Sequence, residues 1–157
     1  GNTENAAEIL STMRRGCLIV FVRQIGLKNI IESGTRLNAD ISSSLILTIF
    51  GKDTPLHDGA LIIQGSRIIA AGCFLPLSEQ LDIKRSFGTR HRAAIGLSET
   101  TDSVILVVSE ETAAISIACD GILYYDLEKE EARRTLKKML SLKDSSEKEN
   151  EEVEIED

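Results

Sequence analysis

Tryptophan is absent from this 157-residue chain, and four Phe and two Tyr bring the aromatics to only 4%. A core made without large rings has to be filled by Ile, Leu, Val and Ala. Cysteine is scarce: Cys17, Cys73 and Cys119 are far apart, odd in number and form no CxxC pair. That spacing excludes a disulfide framework and a cysteine zinc site. Each thiol sits among apolar neighbours and is expected to be small buried filling in a reducing compartment. Long hydrophobic runs are missing as well. The stretch 18–22 is far too short to cross a bilayer, and no signal peptide pattern is visible. Excess positive charge is also lacking. The net charge is −7, but residues 141–157 hold eight acids against two lysines, leaving 17 acids and 16 bases elsewhere. A near-neutral body has no electrostatic footprint for nucleic acid, so no nucleic-acid partner is expected.

What remains is the composition of one globular domain, 42% apolar and 27% charged, long enough for one core but not for two. Apolar periodicity predicts a helix over residues 3–15, with Ile9, Leu10 and Met13 on one face and Gly16 as its stop. A buried strand is expected at 17–23, a short helix at 27–33, and a helix capped by Ser42 or Ser43 that runs to Gly51. After Pro55 the pattern turns to strands at 60–64 and 67–75, joined by Gly65-Ser66. A polar loop over 76–88 leads to a helix at 90–98. Strands follow at 104–108, 114–118 and 122–125, the last two joined by an Asp120-Gly121 turn. The last helix, 128–140, turns Leu136, Met139 and Leu140 inward. The acidic tail 141–157 has little to bury and is expected to be disordered. This order predicts an α/β (α+β) fold: a single compact domain over residues 1–140, with a central mixed, largely antiparallel β-sheet flanked by helices. The chain opens on Gly1, as a processed tag would leave it, and the natural protein is expected to extend upstream.

Two stretches break the local rules. Leu56-His57-Asp58-Gly59-Ala60 stands just ahead of a strand, where Asp-Gly alone is an ordinary turn. Gly88-Thr89-Arg90-His91-Arg92 opens a helix, although the positive end of the helix dipole disfavours cations. An anion removes that conflict, because backbone N–H groups, the Thr89 hydroxyl and the guanidinium groups would all face one phosphate. The bland alternative is a solvated basic face. A third stretch, Ser109-Glu110-Glu111-Thr112, ends a strand. Adjacent acids in a turn usually face solvent, but beside phosphates one of them can hold a divalent metal.

Taken with LNADISSSLILTIF ahead of them and FLPLSE between, LHDGA, GTRHRAAIG and SEET resemble the diadenylate cyclase (DAC) family, whose hallmark motifs are DGA and RHR. The resemblance covers residues 5–140 and is nearest to the membrane-tethered CdaA type. It implies a metal-dependent nucleotidyltransferase that condenses two ATP into cyclic di-AMP with release of two pyrophosphates. Carried over by position, Asp58 promotes attack by the ribose 3′-hydroxyl, with Gly59 and Ala60 completing its motif. Arg90, His91 and Arg92 grip phosphate. Leu56, Phe74, Gly88, Thr89, Ser109 and Glu110 line the nucleotide, and Asp58, His57 and Glu111 are offered to Mg²⁺ or Mn²⁺. Phe74 stands where relatives often have Tyr near the adenine, and Ala113 where Gly usually follows SEET.

A two-fold symmetric product implies a homodimer meeting face to face, each domain with one ATP. Membrane contact is implied only through upstream transmembrane helices, which would anchor a cytoplasmic domain to the bacterial cell membrane. A regulatory protein is a compatible partner. A reading from a different class is a catalytically inactive nucleotide-binding sensory domain of the same fold. Retention of Asp58, Arg90 and Arg92 argues against it, and a purely structural domain would leave both polar motifs unexplained.

Overall fold

The first strand, β1 (Cys17–Val22), is buried at all six positions. Cys17, Ile19 and Phe21 feed one hydrophobic cluster, while Leu18, Val20 and Val22 feed another. A strand apolar on both sides needs cover on both faces of its sheet. The computed structural model, which describes residues 16–51, 54–76 and 88–141, supplies that cover. Helix α1 (Lys28–Glu32), helix α2 (Ser43–Ile49), helix α3 (Thr89–Thr100) and helix α4 (residues 129–141) flank seven strands. After β1 the strands are β2 (Thr35–Asp40), β3 (Ala60–Gln64), β4 (Arg67–Cys73), β5 (Val104–Val108), β6 (Ile115–Cys119) and β7 (Ile122–Leu127). They run in the order β2-β4-β3-β1-β5-β6-β7 across one sheet.

Only β1 and β3 pair in parallel, so the sheet is mixed and largely antiparallel, as expected. Ile31 of α1 and Ala93, Ala94 and Leu97 of α3 close one face. Ile46 and Ile49 of α2 and Ala132 and Leu136 of α4 close the other. Helix α2 begins where its cap predicts, with Ser42 Oγ accepting from Leu45 N at 3.3 Å. All three cysteines are free and buried. Burial pushes the Cys17 thiol up to about 12 and that of Cys73 to about 11, so both stay protonated filling.

One strand was not anticipated. The sequence of β2, Thr-Arg-Leu-Asn-Ala-Asp, is polar and mostly exposed because it lies at the sheet edge. Its ladder with β4 breaks between Arg36 and Ala39, and Asn38 there takes a φ of 49°. Arg67 ties the strand's end to Asp40 at 2.9 Å. A short, bulged, charged edge of this kind resists pairing with other chains. The expected helix over 3–15, the tail beyond 141 and most of the polar loop, 77–87, lie outside the described residues. Among the described residues no helix is long and apolar enough to cross a membrane.

Register decides where function can sit. Ala60 lies opposite Cys73, Cys17 opposite Val108, and Val108 opposite Ile115. The starts of β1, β3 and β6 and the ends of β4 and β5 therefore share one end of the sheet. Residues just outside those strands converge there although they are far apart in sequence.

Candidate active site

That end of the sheet collects both marked motifs. Asp58 and Gly59 precede β3, Phe74 follows β4, and Ser109 to Thr112 follow β5. Helix α3 brings its first turn to the same end. An open cleft of about 250 Å³ lies between the α3 start and the turn after β5, lined by Gly88, Thr89, Arg90 and His91 from α3, Ser109 to Thr112 after β5, and Tyr125 of β7.

Gly88 enters α3 with extended backbone and offers no side-chain cap, and the first turn carries no acid. The first N–H groups of the helix therefore open on the cleft, where they and the dipole favour an anion. Arg90 Nη1 lies 3.4 Å from Glu110 Oε2, with Glu110 76% exposed. So loose and wet a pair is worth little, and a phosphate would make the stronger partner. The guanidinium crosses directly over Gly16: a Cβ there would come within 2.6 Å of Arg90 Nη1 and 2.8 Å of Glu110 Cβ. His91 is 7% exposed. Burial, with the charge of Arg90 beside it, holds its imidazole below the ordinary histidine value, so at neutral pH it adds no cation. Arg92 is exposed and does not line the cleft.

The turn after β5 is held by its own backbone. Ala113 N donates to Ser109 O at 3.0 Å, Ser109 N to Ala114 O at 3.0 Å, and Thr112 N to Ser109 Oγ at 3.4 Å. Ala113 takes a φ of 59° to close it, the left-handed region a glycine occupies freely. An alanine there costs about 1 kcal/mol, so the departure from SEET-Gly is tolerated, not neutral. The turn after β5 thus closes with an alanine in the left-handed position.

The other motif sits apart from this cleft. Asp58 is exposed, Leu56 packs on the core and toward Gly72, and Phe74 is 68% exposed. The N–H of Phe74 donates to Ser33 Oγ at 3.0 Å, which fixes where its ring leaves the sheet. Strands β3 and β5 lie on either side of β1, roughly 10 Å apart, and Asp58 and Glu111 extend from the loops at their ends. Among the described residues no three His, Cys, Asp or Glu side chains converge as a metal cage. Asp58, His57 and Glu111 are therefore not gathered as a ready-made trio. The carboxylates of Asp58 and Glu111 suit Mg²⁺ or Mn²⁺ all the same, because Mg²⁺ needs only one or two carboxylates when phosphate and water oxygens supply the rest. His57 Nδ1 lies 2.5 Å from Thr54 O, which leaves Nε2 as the acceptor, the arrangement of a metal-ready histidine.

Gly59 has a φ of 95°, and a Cβ on it would lie 2.7 Å from Cys73 O and 3.0 Å from the Gly72 carbonyl carbon. Neither backbone atom can yield cheaply. Gly59→Ala should lose on the order of 1–3 kcal/mol of stability, read as a lower midpoint in urea unfolding. An unchanged midpoint would mean that the turn relaxes and the close approach is incidental.

Tyr125 is a part of the cleft that no sequence motif marks. The packing of Arg90 over Gly16 likewise has no local signal. Tyr125 lies 35 residues beyond Arg90 on an edge strand, where only the sheet order brings it close.

A helix start open to an anion, at one end of a sheet covered on both faces, suits a phosphate-bearing ligand. The DAC family model, described as "DisA bacterial checkpoint controller nucleotide-binding", matches residues 4–123, and the chain belongs to that family. It is 47% identical over 137 residues to a diadenylate cyclase of Listeria monocytogenes, covering 87% of this chain and 50% of that protein. It is also 47% identical over 135 residues to the cyclic di-AMP synthase CdaA of Bacillus subtilis, covering 86% of this chain and 48% of that one. The chain thus spans about half the length of these curated relatives. A crystal structure of a double mutant of DacA from Staphylococcus aureus superposes with a TM-score of 0.80 at 42% identity, covering 88% of this chain and 93% of that one. A hypothetical membrane spanning protein from Bacillus cereus gives 0.72 at 45% identity, over 80% and 61%.

Proposed function

We propose that this domain joins two ATP molecules into cyclic di-AMP, at an interface of two copies meeting face to face. What supports the reading is one sheet end that gathers the exposed acid of DGA, the anion-ready start of α3 and the Ser109–Thr112 turn, in a chain of the DAC family. The names of the relatives agree, one being a diadenylate cyclase and the other a cyclic di-AMP synthase.

Each transfer forms a bond from one ATP's 3′-oxygen to the other's α-phosphorus and breaks the bond to pyrophosphate, which leaves with the electron pair. Asp58 accepts the 3′-hydroxyl proton or orients that hydroxyl. The α3 N–H groups, Thr89 and Arg90 hold the triphosphate, and Ser109 binds beside them. Arg90 exchanges its weak hold on Glu110 for phosphate oxygen. Neutral His91 shapes the cleft wall, exposed Arg92 adds positive charge on the same helix turn, and Phe74 gives the adenine a ring to stack on. A divalent ion offered Asp58, His57 and Glu111 would supply charge neutralisation on the phosphoryl oxygens. Catalysis by the protein is positioning and charge stabilisation. Segments upstream of the domain would anchor it at a membrane, a reading supported by the membrane-spanning neighbour from Bacillus cereus.

Incubation with ATP and Mn²⁺ or Mg²⁺, followed by mass spectrometry, should yield cyclic di-AMP and pyrophosphate. Bound but unconsumed ATP would instead mark a sensory domain, and failure to bind nucleotide would overturn the reading.

A further inference from the structure

Strand β7 is an edge strand, yet it reaches the cleft through a bulge. Ile115 pairs with Leu127 but Ile117 pairs with Tyr124, so β7 carries one residue more than β6 across that step. The irregularity falls at Tyr125-Asp126. Asp126 takes a φ of 53°, and its N–H donates at 3.2 Å to the hydroxyl of Ser116, which is fully buried. Bulges of this kind re-aim the side chains they carry. Here the ring of Tyr125 comes to lie against His91, with centroids 5.9 Å apart and planes at 59°. That is a favourable tilted pairing. Tyr125 belongs to neither core cluster and is 50% exposed, so packing the domain does not account for its placement. His91 follows Thr89 and Arg90 in the first turn of α3, and all four residues line the cleft.

We propose that Tyr125 is a positioning residue of the phosphate cleft: set by the Ser116–Asp126 bulge, its ring clamps His91 and fixes the turn that presents Thr89 and Arg90. The inference rests on the cleft being the nucleotide site, and it adds to that site a residue outside every motif. Two measurements on Tyr125→Ala, Tyr125→Phe and, as a control, Tyr124→Ala test it. The first is affinity for α,β-methylene-ATP with Mg²⁺, and the second is hydrogen exchange at residues 89–92 in the protein without nucleotide.

Tyr125→Ala should bind the analogue about two- to tenfold more weakly and exchange faster at 89–92, with its melting temperature nearly kept. Tyr125→Phe, which retains the ring, should restore both, and Tyr124→Ala should alter neither. Unchanged exchange in Tyr125→Ala overturns the clamp, as does a Tyr125→Phe that behaves like the alanine variant. Should the wild type itself fail to bind the analogue, the nucleotide reading falls, while the exchange comparison still decides whether Tyr125 holds the turn.

Discussion

Asp58→Asn should lose cyclic di-AMP synthesis by about 10²–10⁴-fold, the usual worth of a positioned general base, and still melt where the wild type melts. The two halves of that expectation come from different observations. Asp58 is exposed, so exchanging a carboxylate for an isosteric amide removes little that folding uses. The backbone of the motif is nevertheless held tightly, because Gly59 packs on the Cys73 and Gly72 main chain. The carboxylate therefore has a fixed origin even though its head is free to reach a substrate. An amide can neither take the 3′-hydroxyl proton nor bind a divalent ion as a carboxylate does. A parallel assay of cyclic di-AMP formation and thermal melting reads both halves. Near-normal output would remove Asp58 from the chemistry, and a large fall in melting temperature would make its role structural.

The parts of the fold that were legible in the sequence are those whose signal is local. The unbroken apolar run of β1 announces a strand buried on both faces, and the Ser42 cap and the Gly65-Ser66 turn mark element boundaries that the structure keeps. Strand β2 was not legible, since an edge strand needs no apolar alternation and this one spends two of its six positions on Asn and Asp. The candidate site divides in the same way. The Thr89–Arg92 turn stands out because cations at a helix start conflict with the dipole, whereas Asp58 sits in an ordinary Asp-Gly turn and is marked only by the resemblance. Gly16, Tyr125 and Ser116 carry no such conflict. Their places depend on which strands are neighbours and where a ladder slips by one residue, and both are settled only by long-range packing. The proposed metal donors show the limit of motif reading most clearly. His57, Asp58 and Glu111 are the right chemistry, but β1 stands between the strands that carry them, so one chain alone does not gather them into a cage.

Dilution should lower specific activity in direct proportion to protein concentration once monomers dominate, so a tenfold dilution at saturating ATP costs about tenfold in rate per chain. The reason is the symmetry of the reaction. Closing the ring takes two transfers, each with a 3′-oxygen within about 3–3.5 Å of the other nucleotide's α-phosphorus. This chain has one DGA and one RHR motif, and both open at the same sheet end. On the proposed reading a single copy holds one ATP there, and no second DGA or RHR motif in the chain supplies a site to face it. Two copies related by a two-fold axis present both nucleotides to each other in equivalent positions. Mixing provides an independent check. At a concentration where dimers dominate, an equal amount of Asp58→Asn leaves about half of the wild-type chains in mixed pairs, so cyclic product per wild-type chain should fall by about half. Mixed pairs should also release a linear dinucleotide that keeps one triphosphate, because the intact site completes its transfer and the other cannot. Light scattering alongside the assay fixes the oligomeric state at each concentration. A specific activity that stays flat while the protein is monomeric throughout would defeat the face-to-face mechanism, and so would a mixture whose output is simply that of its wild-type content.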